Sequence, residues 1–186
     1  MRRLTVMILV LLVFLFGCSK EEGQLTTAID FRSKLVQANG CSFEGEITAD
    51  YGDSVQSFRL TCDCDAQGIV RMNLLEPETL EGIAATVTEG GRKISYDGLI
   101  VDLDQLAEEQ LAPAAAPGLI LESWLCGFIQ WGQWEEGITQ VSYEQELGDA
   151  RFNIVTFFKN DLPFSAEVCY NNERVLEMKI EEFQFH

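Results

Sequence analysis

The stretch Ser42–Cys64 reads SFEGEITADYGDSVQSFRLTCDC, and both of its halves alternate. Phe43, Ile47, Ala49 and Tyr51 fall on one parity, and Ser42, Glu44, Glu46, Thr48 and Asp50 on the other. A period of two marks a strand buried on one face, because successive side chains of a strand point to opposite sides. Gly52-Asp53 fits a two-residue type II′ turn. That turn sets Ile47 opposite Phe58, Phe43 opposite Cys62 and Cys41 opposite Cys64. The apolar residues of both strands then share a face, so turn and pattern specify one register.

The same reading extends along the chain. Ile69–Leu75 forms the next strand, and Gly90-Gly91 joins Ile83–Glu89 to Arg92–Tyr96 with Val87 facing Ile94. Asp97-Gly98, a type I′ signal, returns the chain through Leu99–Leu103. Gly148-Asp149 joins Thr139–Leu147 to Ala150–Phe158, with Tyr143 facing Ile154. Asn171-Asn172-Glu173 reads as a three-residue loop, which sets Val168 opposite Leu176 and Phe164 opposite Ile180. A two-residue loop would put Ala166 against Glu177, the wrong parity for a shared apolar face. About ten strands in an antiparallel meander follow.

Two helical regions interrupt this pattern. Thr26 or Thr27 can cap a helix running to about Asn39, with Ala28, Phe31 and Leu35 on one face and Gly40 as its stop. Asp104 can cap a short helix over Gln105–Leu111, followed by the stiff run Ala112-Pro113-Ala114-Ala115-Ala116-Pro117. Pro117 then suits the first turn of a helix over Gly118–Trp131. That segment is apolar most of the way round, which predicts burial on more than one side.

The first eighteen residues read MRRLTVMILVLLVFLFGC. Arg2 and Arg3 form a positive start, and the apolar run Leu4–Phe16 is shorter than the roughly 20 residues of a membrane-spanning helix. Its length suits a signal peptide. Leu15-Phe16-Gly17-Cys18 resembles the lipobox of bacterial lipoproteins, with a small residue directly before the cysteine. The resemblance implies a signal peptide over 1–17, cleavage before Cys18 and a lipid on its sulfur. It also implies an acylated N-terminus anchored in the bacterial cell envelope, outside the cytoplasm. Residues 18–25 then form the lipidated N-terminus and a short linker, and 26–186 a single domain.

The 186 residues carry 13 basic and 30 acidic side chains, a formal charge of −17. Loss of residues 1–17 removes two arginines and no acid, leaving −19. Nucleic acid is thereby excluded as a partner, since phosphate binding needs clustered Lys and Arg. The single histidine, His186, is the last residue, so a Ser-His-Asp triad or a His-ligated zinc would have to use a chain end. There is no P-loop, GxGxxG, GxSxG or SxxK motif, and the sequence predicts no enzyme and no cofactor.

The element order, together with Gly68–Leu103 (GIVRMNLLEPETLEGIAATVTEGGRKISYDGLIVDL), resembles the periplasmic lipoprotein carriers of the Lol system (LolA/LolB). It is similar also to the related mycobacterial lipid-binding lipoproteins. That family runs a strand into a P-x-x-L corner, here Pro77–Leu80, then a strand, a turn, an x-x-Y-D-G segment and another strand. The resemblance implies an α+β fold: a strongly curved antiparallel sheet, an incomplete β-barrel of about ten strands. An N-terminal helix and inserted helices would lid its concave face. It implies a cavity for an acyl chain or another lipid.

Trp124, Phe128, Trp131 and Trp134 cluster on the expected lid as candidate ligand-facing groups, with core filling as the alternative. With Cys18 lipidated, five cysteines remain, and Cys41 with Cys64 (or Cys62) is the disulfide candidate for an oxidising compartment. A metal site at Cys62-Asp63-Cys64 lacks a histidine or a second close pair apart from Cys41, and none is expected. Glu44, Glu46, Asp50 and Glu135-Glu136 read as a solvated outer face. The function expected is a membrane-anchored envelope lipoprotein that binds or carries a hydrophobic ligand. The alternative is a structural or protein-interaction lipoprotein with a filled interior.

Overall fold

The structure, a computed structural model, describes residues 22–50, 55–88, 93–102, 112–147 and 150–186. The expected signal peptide, Cys18, the turns at 52–53, 90–91 and 148–149, and the short helix over 105–111 lie outside the described residues.

Helix α1 spans Glu22–Gln37 and starts four residues before the expected Thr26. Ala28, Phe31 and Leu35 form its buried face, as their spacing predicts. Asn39 takes the left-handed conformation after the helix (φ 61°), the role expected of Gly40. Gly40 is needed for a different reason: at φ 139° its Cα faces the Cys64 carbonyl so closely that a Cβ would collide with it.

The strands are β1 (Gly40–Asp50), β2 (Val55–Asp65), β3 (Val70–Glu76), β4 (Ala84–Thr88), β5 (Lys93–Tyr96) and β6 (Leu99–Asp102). After helix α2 (Ala116–Cys126) come β7 (Phe128–Glu135), β8 (Ile138–Leu147), β9 (Ala150–Lys159), β10 (Leu162–Tyr170) and β11 (Glu173–Phe185). They form one eleven-stranded antiparallel sheet in the order β6-β5-β4-β3-β2-β1-β11-β10-β9-β8-β7. The ends of the chain's strand sequence meet at the centre, where β1 pairs β11, and the sheet stays open, with β6 and β7 as its edges.

The expected registers are present: Ile47 faces Phe58, Cys41 faces Cys64, Val87 faces Ile94 and Tyr143 faces Ile154. The β10–β11 connection differs. Tyr170 pairs Glu173 across a two-residue turn in which Asn171 and Asn172 are both left-handed (φ 51° and 67°). A bulge between Val168 and Cys169 then restores the expected Val168–Leu176 pairing.

The expected helix over Gly118–Trp131 is corrected: it ends at Cys126, and Phe128–Trp131 belongs to strand β7, which was not expected. Gly127 is the stop. Its backbone leaves the helix at ψ 145°, its N–H donates to the Glu122 and Ser123 carbonyls, and a Cβ there would come within 2.6 Å of the Ser123 oxygen. The following hairpin turns on Glu136 and Gly137 (φ 49° and 86°), the type I′ geometry.

Helix α2 contacts β3 and β4 on one half of the sheet and β8 and β10 on the other. Its 11 residues span about 16 Å, whereas seven inter-strand steps from β4 to β8 would cover about 34 Å in a flat sheet. The sheet must therefore curl around the helix. Trp124, fully buried, sits at the centre of the concave side, with the rings of Phe31, Phe43 and Phe183 5.3, 6.2 and 6.2 Å away. Its Nε1 donates to Thr156 Oγ1 at 2.9 Å. Arg32 of α1 closes the C-terminal turn of α2, where carbonyls lack helical partners. Its Nε donates to the Trp124 oxygen at 2.7 Å, and Nη2 to those of Gly127 and Ser123 at 2.7 and 3.2 Å.

Candidate functional site

The inner face of β1, β2 and β3 carries Ile47, Phe58, Leu60, Met72 and Leu74 because each strand alternates and the registers align those residues. Leu60 faces Leu74, and Ile47 faces Phe58. Ala112 and the short 3₁₀ turn Pro113–Ala115, which leads into α2, pass over this row, and Ala112 and Ala114 pack against the core. Between them lies a groove of about 180 Å³, in which, among the described residues, Gln56 is the one side chain with a polar end.

Among the described residues that lining has no titratable group and no nucleophile, so it can exclude water from an apolar group and do little else. The volume equals roughly six waters' share of the liquid, below the roughly 300 Å³ at which drug-sized ligands are commonly enclosed. It suits a segment of a chain, not a whole lipid.

None of the four aromatic candidates lines this groove. Trp124 fills the core. Phe128, Trp131 and Trp134 belong to the edge strand β7 and not to a helical lid, and they are 71%, 43% and 61% exposed. Pairing of Phe128 with Glu144 and Trp131 with Ser142 puts those two on one face of β7, while Trp134, opposite Thr139, is on the other. The groove residues were legible as strand positions from their alternation. Their selection as a site was not, because it depends on where the 112–114 segment crosses them.

Cys41, Cys62 and Cys64 are buried free thiols on the inner face of the first hairpin, Cys126 is exposed, and Cys169 is half-buried. Among the described residues no group of three or more His, Cys, Asp or Glu is placed to hold a metal ion. Burial raises the Tyr143 phenol's pKa, and its hydroxyl has no hydrogen-bond partner among the described residues.

Two carboxylates of the outer face, Glu44 and Glu46, are paired. Arg59 donates to Glu44 at 3.0 Å, and Glu46 accepts from Ser57 at 3.1 Å and from Lys179 at 3.3 Å. The Lys179 hydrogen bond is the main cause that holds Glu46 below the ordinary carboxylate range. Among the described residues no helix is long and apolar enough to cross a membrane.

No family model and no curated protein matches the sequence. Solved structures do match in fold. A LolA superfamily protein from Nitrosomonas europaea is 11% identical, covering 86% of this chain and 93% of its own, with a TM-score of 0.45. An outer membrane lipoprotein-sorting protein domain from Vibrio parahaemolyticus is 10% identical over 89% of this chain and 93% of its own, at 0.47. Pseudomonas aeruginosa MucB, solved in complex with MucA, is 16% identical over 84% of this chain and 56% of its own, at 0.36.

Proposed function

We propose that this chain is a non-enzymatic lipoprotein of the bacterial envelope, tethered through Cys18, whose curved sheet binds a hydrophobic ligand by one apolar segment. The observation that carries the reading is the groove over β1–β3, lined by Ile47, Phe58, Leu60, Met72 and Leu74. A free acyl chain or the exposed end of a lipid has the matching chemistry: flexible, apolar and narrow. The lipobox-like Leu15–Cys18 supports the tether, and the −19 charge of the processed chain keeps the body off anionic headgroups.

The test uses the body from Ser19 onward, purified without detergent and titrated with a fluorescent fatty acid. Leu74→Trp, which fills the groove from its half-exposed wall, should weaken uptake by about tenfold, the equivalent of roughly 1.4 kcal/mol. Trp131→Ser, on the far edge, should leave it unchanged. Uptake unaffected by Leu74→Trp would remove the groove from the account.

A second reading, an interaction module with a filled interior, draws support from the exposed Phe128, Trp131 and Trp134 on an edge strand. Under that reading no fatty acid is taken up, and Trp131→Ser weakens capture of a protein partner.

A further inference from the structure

The three thiols on the inner face of the first hairpin do not line the groove. Cys41 and Cys64 are directly opposed in the β1–β2 register, and Cys62 lies two residues along the same strand. The Cys41 and Cys64 thiols are in hydrogen-bonding contact, as are those of Cys64 and Cys62. All three are 2% exposed or less.

Strand geometry separates the pairings. Directly opposed residues stand about 4.5–5.5 Å apart at Cα, inside the roughly 4.4–6.8 Å range of disulfides. Cys41 and Cys62 are diagonal neighbours, about 7–8 Å apart, which is beyond that range. Cys62 and Cys64 project side by side from one strand, so their Cβ vectors do not converge.

We propose that Cys41 and Cys64 form a cross-strand disulfide, made while the chain folds by exchange with a disulfide-bearing oxidant, and that Cys62 remains a thiol. The two thiols give up two protons and two electrons to one new S–S bond, and the oxidant's disulfide becomes two thiols. The bond ties β1 to β2 at the end of the hairpin nearest α1. Formation belongs to the folding stage because attack requires an accessible thiolate, and the folded sheet closes these sulfurs from solvent. Once made, the bond is shielded from reductant in the same way.

The test refolds the full chain in detergent from its reduced, denatured state with a mixture of oxidised and reduced glutathione. Remaining thiols are then blocked with a maleimide in denaturant and the peptides are mapped. The expected product links Cys41 to Cys64 and carries the maleimide on Cys62. Reduction in denaturant followed by refolding without oxidant should lower Tm by roughly 5–10 °C. Cys62→Ala should leave the linkage intact, and that variant keeps a small apolar side chain in place of the thiol. Maleimide on both Cys41 and Cys64, or Cys41 linked mainly to Cys62, would overturn the proposal.

Discussion

Glu46 shows how single residues set the outer face. It accepts from Lys179 of β11 and Ser57 of β2, so it ties both neighbours of β1 together. Its folded pKa lies below that of an ordinary glutamate, so the pair stabilises the fold above the ordinary carboxylate range and the benefit disappears as acid protonates the carboxylate. With both side chains about half exposed, the effect is small. Lys179→Met is expected to lower the urea midpoint slightly at pH 7 and to leave it unchanged near pH 2, where wild type and variant converge. Denaturation curves at the two pH values check this. At this scale the sequence was legible where chemistry repeats, as in the alternation of Glu44, Glu46 and Thr48. The role of Trp124 was not legible, because an indole reads the same whether it walls a pocket or fills a core.

Among the elements, α2 is held at its C-terminal end by Arg32, whose three hydrogen bonds go to main-chain carbonyls. Arg32→Met keeps much of the stem and removes the donors. It should cost on the order of 2–3 kcal/mol, read as a lower denaturant midpoint with the strand content retained. The β10–β11 turn makes a second case. Asn172 has φ 67°, a conformation that strains a β-branched residue by roughly 1–2 kcal/mol. Asn172→Val should therefore destabilise by about that amount, whereas Asn172→Gly should be close to neutral, and thermal melts of the two variants separate them. Most hairpin registers could be read from the sequence because a two-residue turn and a period of two constrain each other. The β10–β11 turn escaped because the bulge at Val168–Cys169 corrects parity without leaving a distinctive residue. Strand β7 escaped because Leu119–Trp134 is apolar at helical and strand spacings alike, and the break rests on Gly127 alone.

Among the described residues the molecule is an open sheet curled about one buried helix, with β6 and β7 as its edge strands. Its curvature was foreseen by family resemblance and not by periodicity, since alternation says which face is buried and nothing about how far the sheet bends. The same curl leaves room between β1–β3 and the 112–114 segment. The body from Ser19 onward contains two methionines, Met72 in the wall of that groove and Met178 buried on β11, directly opposite Ile47 of the wall. A methyl NMR titration of this body, labelled at the methionine methyl carbons, with a medium-chain fatty acid therefore tests the central claim directly. The account predicts that the Met72 signal shifts and saturates as fatty acid is added. A Met72 signal that does not move at saturating fatty acid would contradict it.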